Sequence, residues 1–78
     1  MNDLTIIDVQ REQCPMTYVR VKLGLEALPA GALALIVLRG EQPKKNVPQS
    51  AREDGHEIVW IEDLPDGRTE IVVRVAGG

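Results

Sequence analysis

Seven consecutive apolar residues, Ala32-Leu33-Ala34-Leu35-Ile36-Val37-Leu38, constrain the fold of this chain more than any other feature. An extended segment of that pattern shows apolar side chains on both faces. It therefore belongs in the middle of a sheet, covered on both sides or covered by helices on one side and by a partner on the other. It is too short to cross a membrane, which takes about 20 such residues. Phe is absent and there is one Trp and one Tyr, so the core must be built from Val, Leu, Ile and Ala. The 78 residues are enough for one domain, expected over 1–78. A domain of this size buries only about 60% of the surface its unfolded chain exposes.

The elements around this strand follow from periodicity. Leu4-Thr5-Ile6-Ile7-Asp8-Val9 is a short β-rich run ended by polar Gln10 to Gln13. Cys14-Pro15 then opens a helical stretch in which Tyr18, Val21, Leu25 and Leu28 recur on one face, with Val19 and Leu23 expected to widen it. Gly24 sits inside that helix and implies close packing against a neighbour, and Pro29 and Gly31 stop the helix. Arg39 to Lys45 reads as loop, broken by Gly40 and Pro43. A second helix is expected from an Asn46 N-cap, with Gln49 as a capping-box partner, Pro48 in the first turn and Gly55 as the stop. Two strands finish the chain. His56 to Glu62 carries Ile58 and Trp60 on one face, with Trp60 expected in the core in preference to an exposed partner contact, and Thr69 to Val75 turns Ile71, Val73 and Val75 inward. Pro65-Asp66-Gly67 is the turn between them.

The order is β-α-β-α-β-β. Right-handed crossovers put both helices on one face of a four-stranded mixed sheet, giving a two-layer α/β sandwich. The other sheet face is left open, so the expectation is a monomer or a weak dimer. Ala76-Gly77-Gly78 reads as a flexible tail.

Composition excludes several function classes. Hydrophobic residues make up 44% and charged residues 27%, with a formal net charge of −3 and a pI of about 5.0. The longest basic run is Lys44-Lys45, which argues against direct nucleic-acid binding. The first residues, Met1-Asn2-Asp3, lack the basic flank and apolar stretch of a signal peptide. One Cys and one His cannot build a zinc site or an internal disulfide, so neither a metal nor another cofactor is expected, and a free thiol suits the reducing cytoplasm. Walker loops, dinucleotide glycine motifs and glycosidase-type carboxylate pairs are absent.

Cys14 is the candidate reactive residue. Pro15 fits the first helical position, where its missing N–H costs nothing. That places Cys14 at the N-cap, where the free N–H groups of Met16 and Thr17 and the helix dipole favour thiolate over thiol. The Thr17 hydroxyl is a further candidate donor to the sulfur. Glu12, two residues before Cys14, would oppose the thiolate if close. The alternative for Cys14 is a buried small hydrophobe, which is common for free cysteine. Arg11, Arg20, Lys22 and Arg39 are candidate partner contacts, and Lys44 and Lys45 extend the same set; their alternative is a scattered, solvated surface. His56 could act as a base, but it reads better as the residue that starts a strand.

Asp8, Cys14-Pro15 at a helix start, Asn46-Val47-Pro48 and Gly55-His56-Glu57-Ile58 together resemble the TusA/SirA-like sulfur-carrier family, from about Leu4 to Val75. The family pattern Asp-x-Arg-Gly-Leu-x-Cys-Pro-x-Pro departs here at Gln10-Arg11-Glu12 and at Thr17, giving a Cys-Pro-x-Thr variant. The resemblance implies a sandwich of the same element order. It also implies a persulfide relay in which Cys14 takes sulfane sulfur from a donor protein, of the cysteine desulfurase or rhodanese type, and passes it to an acceptor protein. Such a sulfurtransferase-type carrier is a stoichiometric intermediate, so the word enzyme applies only loosely. Two other readings stay open. One is an interaction or regulatory module with a structural Cys14. The other is a carrier that works through a C-terminal Gly77-Gly78 thiocarboxylate, against which a helix following the first strand argues.

Overall fold

Six elements follow in the order β1 (Thr5–Asp8), α1 (Met16–Glu26), β2 (Leu33–Arg39), α2 (Glu41–Glu53), β3 (Glu57–Asp63) and β4 (Arg68–Arg74) in a computed structural model that describes residues 4–13 and 16–76. The four strands form one mixed sheet in the order β1-β2-β4-β3. β1 runs parallel to β2 with Ile6 opposite Leu35, and β4 runs antiparallel to both β2 and β3. β2 is thus an inner strand, as its apolar run requires.

One sheet face packs against the helices. Ala34, Ile36 and Leu38 of β2 and Ile71 and Val73 of β4 meet Val21 and Leu25 of α1 and Val47 of α2 in a buried core. Gly24 makes the contact its position implied: a Cβ there would stand 2.8 Å from Ile7 Cδ1. The absent side chain lets α1 lie directly on β1. Val19 and Leu23 do not widen the buried face of α1. They are exposed, because the crossing with the sheet admits only the narrower stripe of Val21 and Leu25.

The segment expected as a loop over Arg39 to Lys45 is mostly helix. Arg39 ends β2 and α2 starts at Glu41, with Gly40 at its N-cap and no side-chain cap. Pro43 is the reason the helix can begin there. It occupies the third helical position, where no intrahelical acceptor exists, and the first such bond is Lys44 N–H to Gly40 O at 3.2 Å. Glu41 adds a favourable charge in the first turn. Asn46 is therefore no cap, and Pro48 lies buried inside the helix, where it removes a bond to Lys44.

The end of α2 is closed by two reversed bonds, His56 N–H to Ala51 O at 3.0 Å and Gly55 N–H to Arg52 O at 2.9 Å, around Gly55 at φ 93°. The His56 Nδ1 accepts a hydrogen bond from the Ala76 N–H at 3.0 Å, so its ring ties the chain after β4 to the start of β3.

β3 is an edge strand, and its register shifts between Ile58 and Trp60. The bulge at Val59 breaks the expected alternation. Ile58 packs on the core, while Trp60 pairs with Val72 on the open face and is 56% exposed. Trp60 is therefore not a core residue.

Candidate functional site

The carboxyl ends of β1, β2 and β3 lie at one end of the sheet, together with the β3–β4 turn. In open α/β sheets this is the end that binds ligands. The β1–α1 connection crosses it. Cys14 and Pro15 lie outside the described residues, so the site is defined here by what flanks them.

Before the pair, Val9 is buried and anchored by its N–H to Val37 O at 2.9 Å, and the Glu12 N–H bonds Val9 O at 3.1 Å. After the pair, the Thr17 N–H donates to Gln13 O at 3.2 Å. That N–H is therefore spent within the chain and is not free for the sulfur. The Thr17 side chain differs. The residue is 2% exposed, and its Oγ1 has no hydrogen-bond partner among the described residues. Buried hydroxyls are nearly always paired, so one without a partner among the described residues, in the first turn of α1, makes Thr17 a candidate donor. Met16, next to it, is exposed. A groove of about 340 Å³ opens beside Thr17 between the two helices, lined by Val19, Pro43 and Val47 among others.

Two of the four candidate partner contacts meet at this end. Arg11 and Arg39 line a cleft of about 570 Å³ with Asp8, Gln10 and Glu12. Arg39 is held from two sides. Its Nε donates to Gln10 Oε1 at 2.9 Å, and its Nη1 donates to Asp66 O at 2.7 Å. Gln10 in turn donates from its backbone N and its Nε2 to Asp8, at 3.0 and 3.1 Å. The chain Asp8–Gln10–Arg39–Asp66 thus links β1, the loop, β2 and the β3–β4 turn. The backbone N–H of Arg68, and the charges of Arg68 and Arg39, hold the Asp66 carboxyl below the usual carboxylate range. Gln10 and Asp66 escaped the sequence reading as site residues. A polar residue after a strand and an aspartate in a Pro-Asp-Gly turn carry no signal of a tertiary bond to Arg39.

The other two candidates point elsewhere. Arg20 Nε lies 3.6 Å from Glu12 Oε2, which gives the nearest acid before Cys14 a counter-charge. Lys22 Nζ is 3.5 Å from Asp54 Oδ2, at the far end of α2. The Tyr18 hydroxyl also donates to Asp54 Oδ2, at 2.7 Å. Burial, together with the Asp54 carboxylate, raises the Tyr18 phenol above its ordinary range, and the Tyr18 bond and Lys22 lower Asp54. Lys44 pairs with Asp63 at 2.7 Å, which raises the amine and lowers the acid. Among the described residues no group of three His, Cys, Asp or Glu could hold a metal, and no helix is long and apolar enough to cross a membrane.

Comparison with known proteins points one way. Residues 5–75 match the family model described as "Sulfurtransferase TusA". A "Putative sulfur carrier protein" of Archaeoglobus fulgidus is 28% identical over 69 residues, covering 88% of this chain and 78% of the relative. The TsuB protein of Escherichia coli, with the same description, is 29% identical over 70 residues, covering 90% and 93%. The crystal structure of a SirA-like protein from Desulfitobacterium hafniense superposes with a TM-score of 0.80 over 95% of this chain and 99% of that one, at 20% identity. That likeness bears out the β-α-β-α-β-β sandwich.

Proposed function

The chain belongs to the TusA sulfurtransferase family of sulfur carriers, and we propose that it carries sulfane sulfur as a persulfide on Cys14. The Cys14 thiolate attacks the outer sulfur of a donor persulfide. The donor's S–S bond breaks, the donor leaves as a thiolate, and a new S–S bond forms on Cys14. The acceptor's thiolate then attacks that outer sulfur, and Cys14 returns as a thiolate. Sulfur moves with no net oxidation, so the cycle needs no cofactor. A reducing compartment such as the cytoplasm keeps the resting thiol free.

The observation that carries this reading is the buried Thr17 hydroxyl, which has no hydrogen-bond partner among the described residues. It stands three residues after Cys14, where this chain departs from the family's second proline. A hydroxyl donor to a thiolate favours the charged form. We assign it that role, with the N-terminal turn of α1, which begins at Met16, adding the helix dipole. Arg11 and Arg39, in the cleft beside the loop, are the assigned contacts to donor and acceptor proteins of acidic surface.

The test is intact-mass analysis after incubation with a polysulfide, run beside Cys14→Ser. A gain of one sulfur atom, reversed by reductant and absent from the variant, is the expected result. No adduct, together with a thiol that resists alkylation, overturns the relay and leaves an interaction module with a structural Cys14.

A further inference from the structure

The cleft beside the β1–α1 loop holds two cations and two carboxylates that do not pair with one another. Asp8, Arg11, Glu12 and Arg39 line it together with Gln10. Glu12 faces Arg20 on α1 instead. Asp8 and Arg11 have no ion-pair partner within 4.0 Å among the described residues. Arg39 has only Asp66, whose Oδ2 stands 3.8 Å from its Nη2, too far for a hydrogen bond.

Gln10 keeps two of these charges apart and shows what fits between them. Its Nε2 donates to both Asp8 carboxylate oxygens at 3.1 Å, and its Oε1 accepts from Arg39 Nε at 2.9 Å. One primary amide thus spans the pair, donor toward the carboxylate and acceptor toward the guanidinium. An α-amino acid presents the same order over a similar span, an ammonium donor and then a carboxylate acceptor. Gln10 does not exhaust either group. A carboxylate has about four acceptor sites, and the only donors to Asp8 among the described residues are the Gln10 backbone N and Nε2. Arg39 bonds through Nε and Nη1, which leaves the Nη2 hydrogens. With both signs of charge in equal number, the cleft suits a zwitterion better than a simple inorganic anion.

We propose that this cleft binds the α-ammonium of cysteine persulfide at Asp8 and its α-carboxylate at Arg39, admitting a small-molecule sulfur donor beside the protein ones. This rests on the persulfide reading of Cys14. Glu12, at the edge of the cleft, stands two residues before Cys14, so at most about 7 Å separates their Cα atoms. The donor must therefore carry its sulfane sulfur close to its zwitterionic end. Cysteine does so, whereas glutathione puts a peptide bond between the two. The Cys14 thiolate attacks the outer sulfur, the S–S bond of the donor breaks, and cysteine leaves as a thiolate that takes a proton from water. The outer sulfur keeps its hydrogen and stays on Cys14, with no net oxidation.

Two measurements test it. S-Methylthio-L-cysteine, titrated into the full-length Cys14→Ser chain, should shift the backbone amide resonances of Asp8 to Glu12 and of Arg39, with a dissociation constant on the order of 1 mM. Its counterpart without the ammonium group should not. Sulfur gain on Cys14 is then timed by intact mass with cysteine persulfide and with the persulfides of 3-mercaptopropionate and cysteamine, which lack the ammonium and the carboxylate respectively. The rate ratio of cysteine persulfide to the first should fall by about threefold in Asp8→Asn, and its ratio to the second by as much in Arg39→Gln, the scale of a solvent-exposed ion pair. Each ratio cancels any effect of the substitution on the thiol itself. An unchanged ratio in either folded variant, or the absence of amide shifts, overturns the proposal. The titration requires no change at Asp8 or Arg39, so it decides the matter even if Arg39→Gln does not fold. A larger Asp8 dependence for glutathione persulfide overturns the choice of cysteine. Loading by inorganic polysulfide separates the two readings: flat ratios with polysulfide loading intact remove the cleft and leave the carrier, and no loading from any donor removes the carrier.

Discussion

Replacing Thr17 by Val should make the protein more stable and a poorer sulfur carrier. The side chains are nearly the same size, both are β-branched, and their helix propensities are close. The main change is the loss of a hydroxyl that is buried and has no partner among the described residues. Protein mutational data put the cost of such a group at about 1–3 kcal/mol. Taking the lower end, Thr17→Val gains about 1 kcal/mol, which for a domain of this size raises Tm by about 4–8 °C. Thr17→Ser separates the two halves of the argument. It keeps the hydroxyl and removes a buried methyl, so it should lose about 0.8 kcal/mol. Urea titration of both variants beside the parent gives the two differences with opposite signs. In single-turnover transfer from a loaded donor, Thr17→Val should be about tenfold slower, the loss of a hydrogen bond to a charged group. A Thr17→Val protein that melts at or below the parent temperature would refute the claim that the hydroxyl is unpaired at rest and is recruited only by the Cys14 thiolate, since it would then already be satisfied. Unchanged transfer would refute its assigned role.

Three further outcomes follow from particular contacts. Gly55→Ala should cost about 1–2 kcal/mol by urea titration. A Cβ there meets only Ala76 at 3.7 Å, so the strain is that of φ 93° and not of crowding. The Tyr18 phenol is raised in the folded state by burial and by Asp54, so the folded protein holds that proton more tightly. Its contribution to stability is complete below the ordinary tyrosine value of 10.0 and declines as pH rises above it. Tyr18→Phe should flatten that alkaline limb in thermal melts taken across it, and an unchanged limb would count against the Tyr18–Asp54 bond. Arg11→Glu should slow encounter with an acidic donor protein in stopped-flow association, with the gap to the parent closing as salt is raised. A gap insensitive to salt would remove Arg11 from the contact surface.

What could be read from the sequence was what local pattern decides. A run apolar on both faces has one place in a sheet, and β2 took it. Pro65-Asp66-Gly67 and Gly55 were legible because positive φ, found at Gly67 and Gly55, narrows the choice of residue. The start of α2 was not, because Pro43 reads as a breaker, whereas the third helical position asks nothing of its N–H. The place of Trp60 is hidden from the sequence for a different reason. An aromatic in a core short of aromatics is expected inside, and nothing local announces the bulge at Val59 that turned it outward. Around the candidate site the division is similar. Cys14-Pro15 and the helix after it are motif, visible in the chain. The lack of a partner for the Thr17 hydroxyl among the described residues, and the grip of Gln10 and Asp66 on Arg39, depend on what tertiary structure brings near, across 27 residues in the case of Asp66.

The bulge has a consequence for how the protein stays apart from its own kind in the wrong way. β3 is an unpaired edge bearing Val59, Trp60 and Ile61, all exposed, and such a strand is a template on which another sheet can grow. A kink at Val59 spoils the even spacing of free N–H and C=O groups that an added strand must match. Glu57, Glu62 and Asp63 bracket the apolar triplet with negative charge. Straightening the edge by removing the extra residue would turn a well-behaved rim into a seed for fibrils.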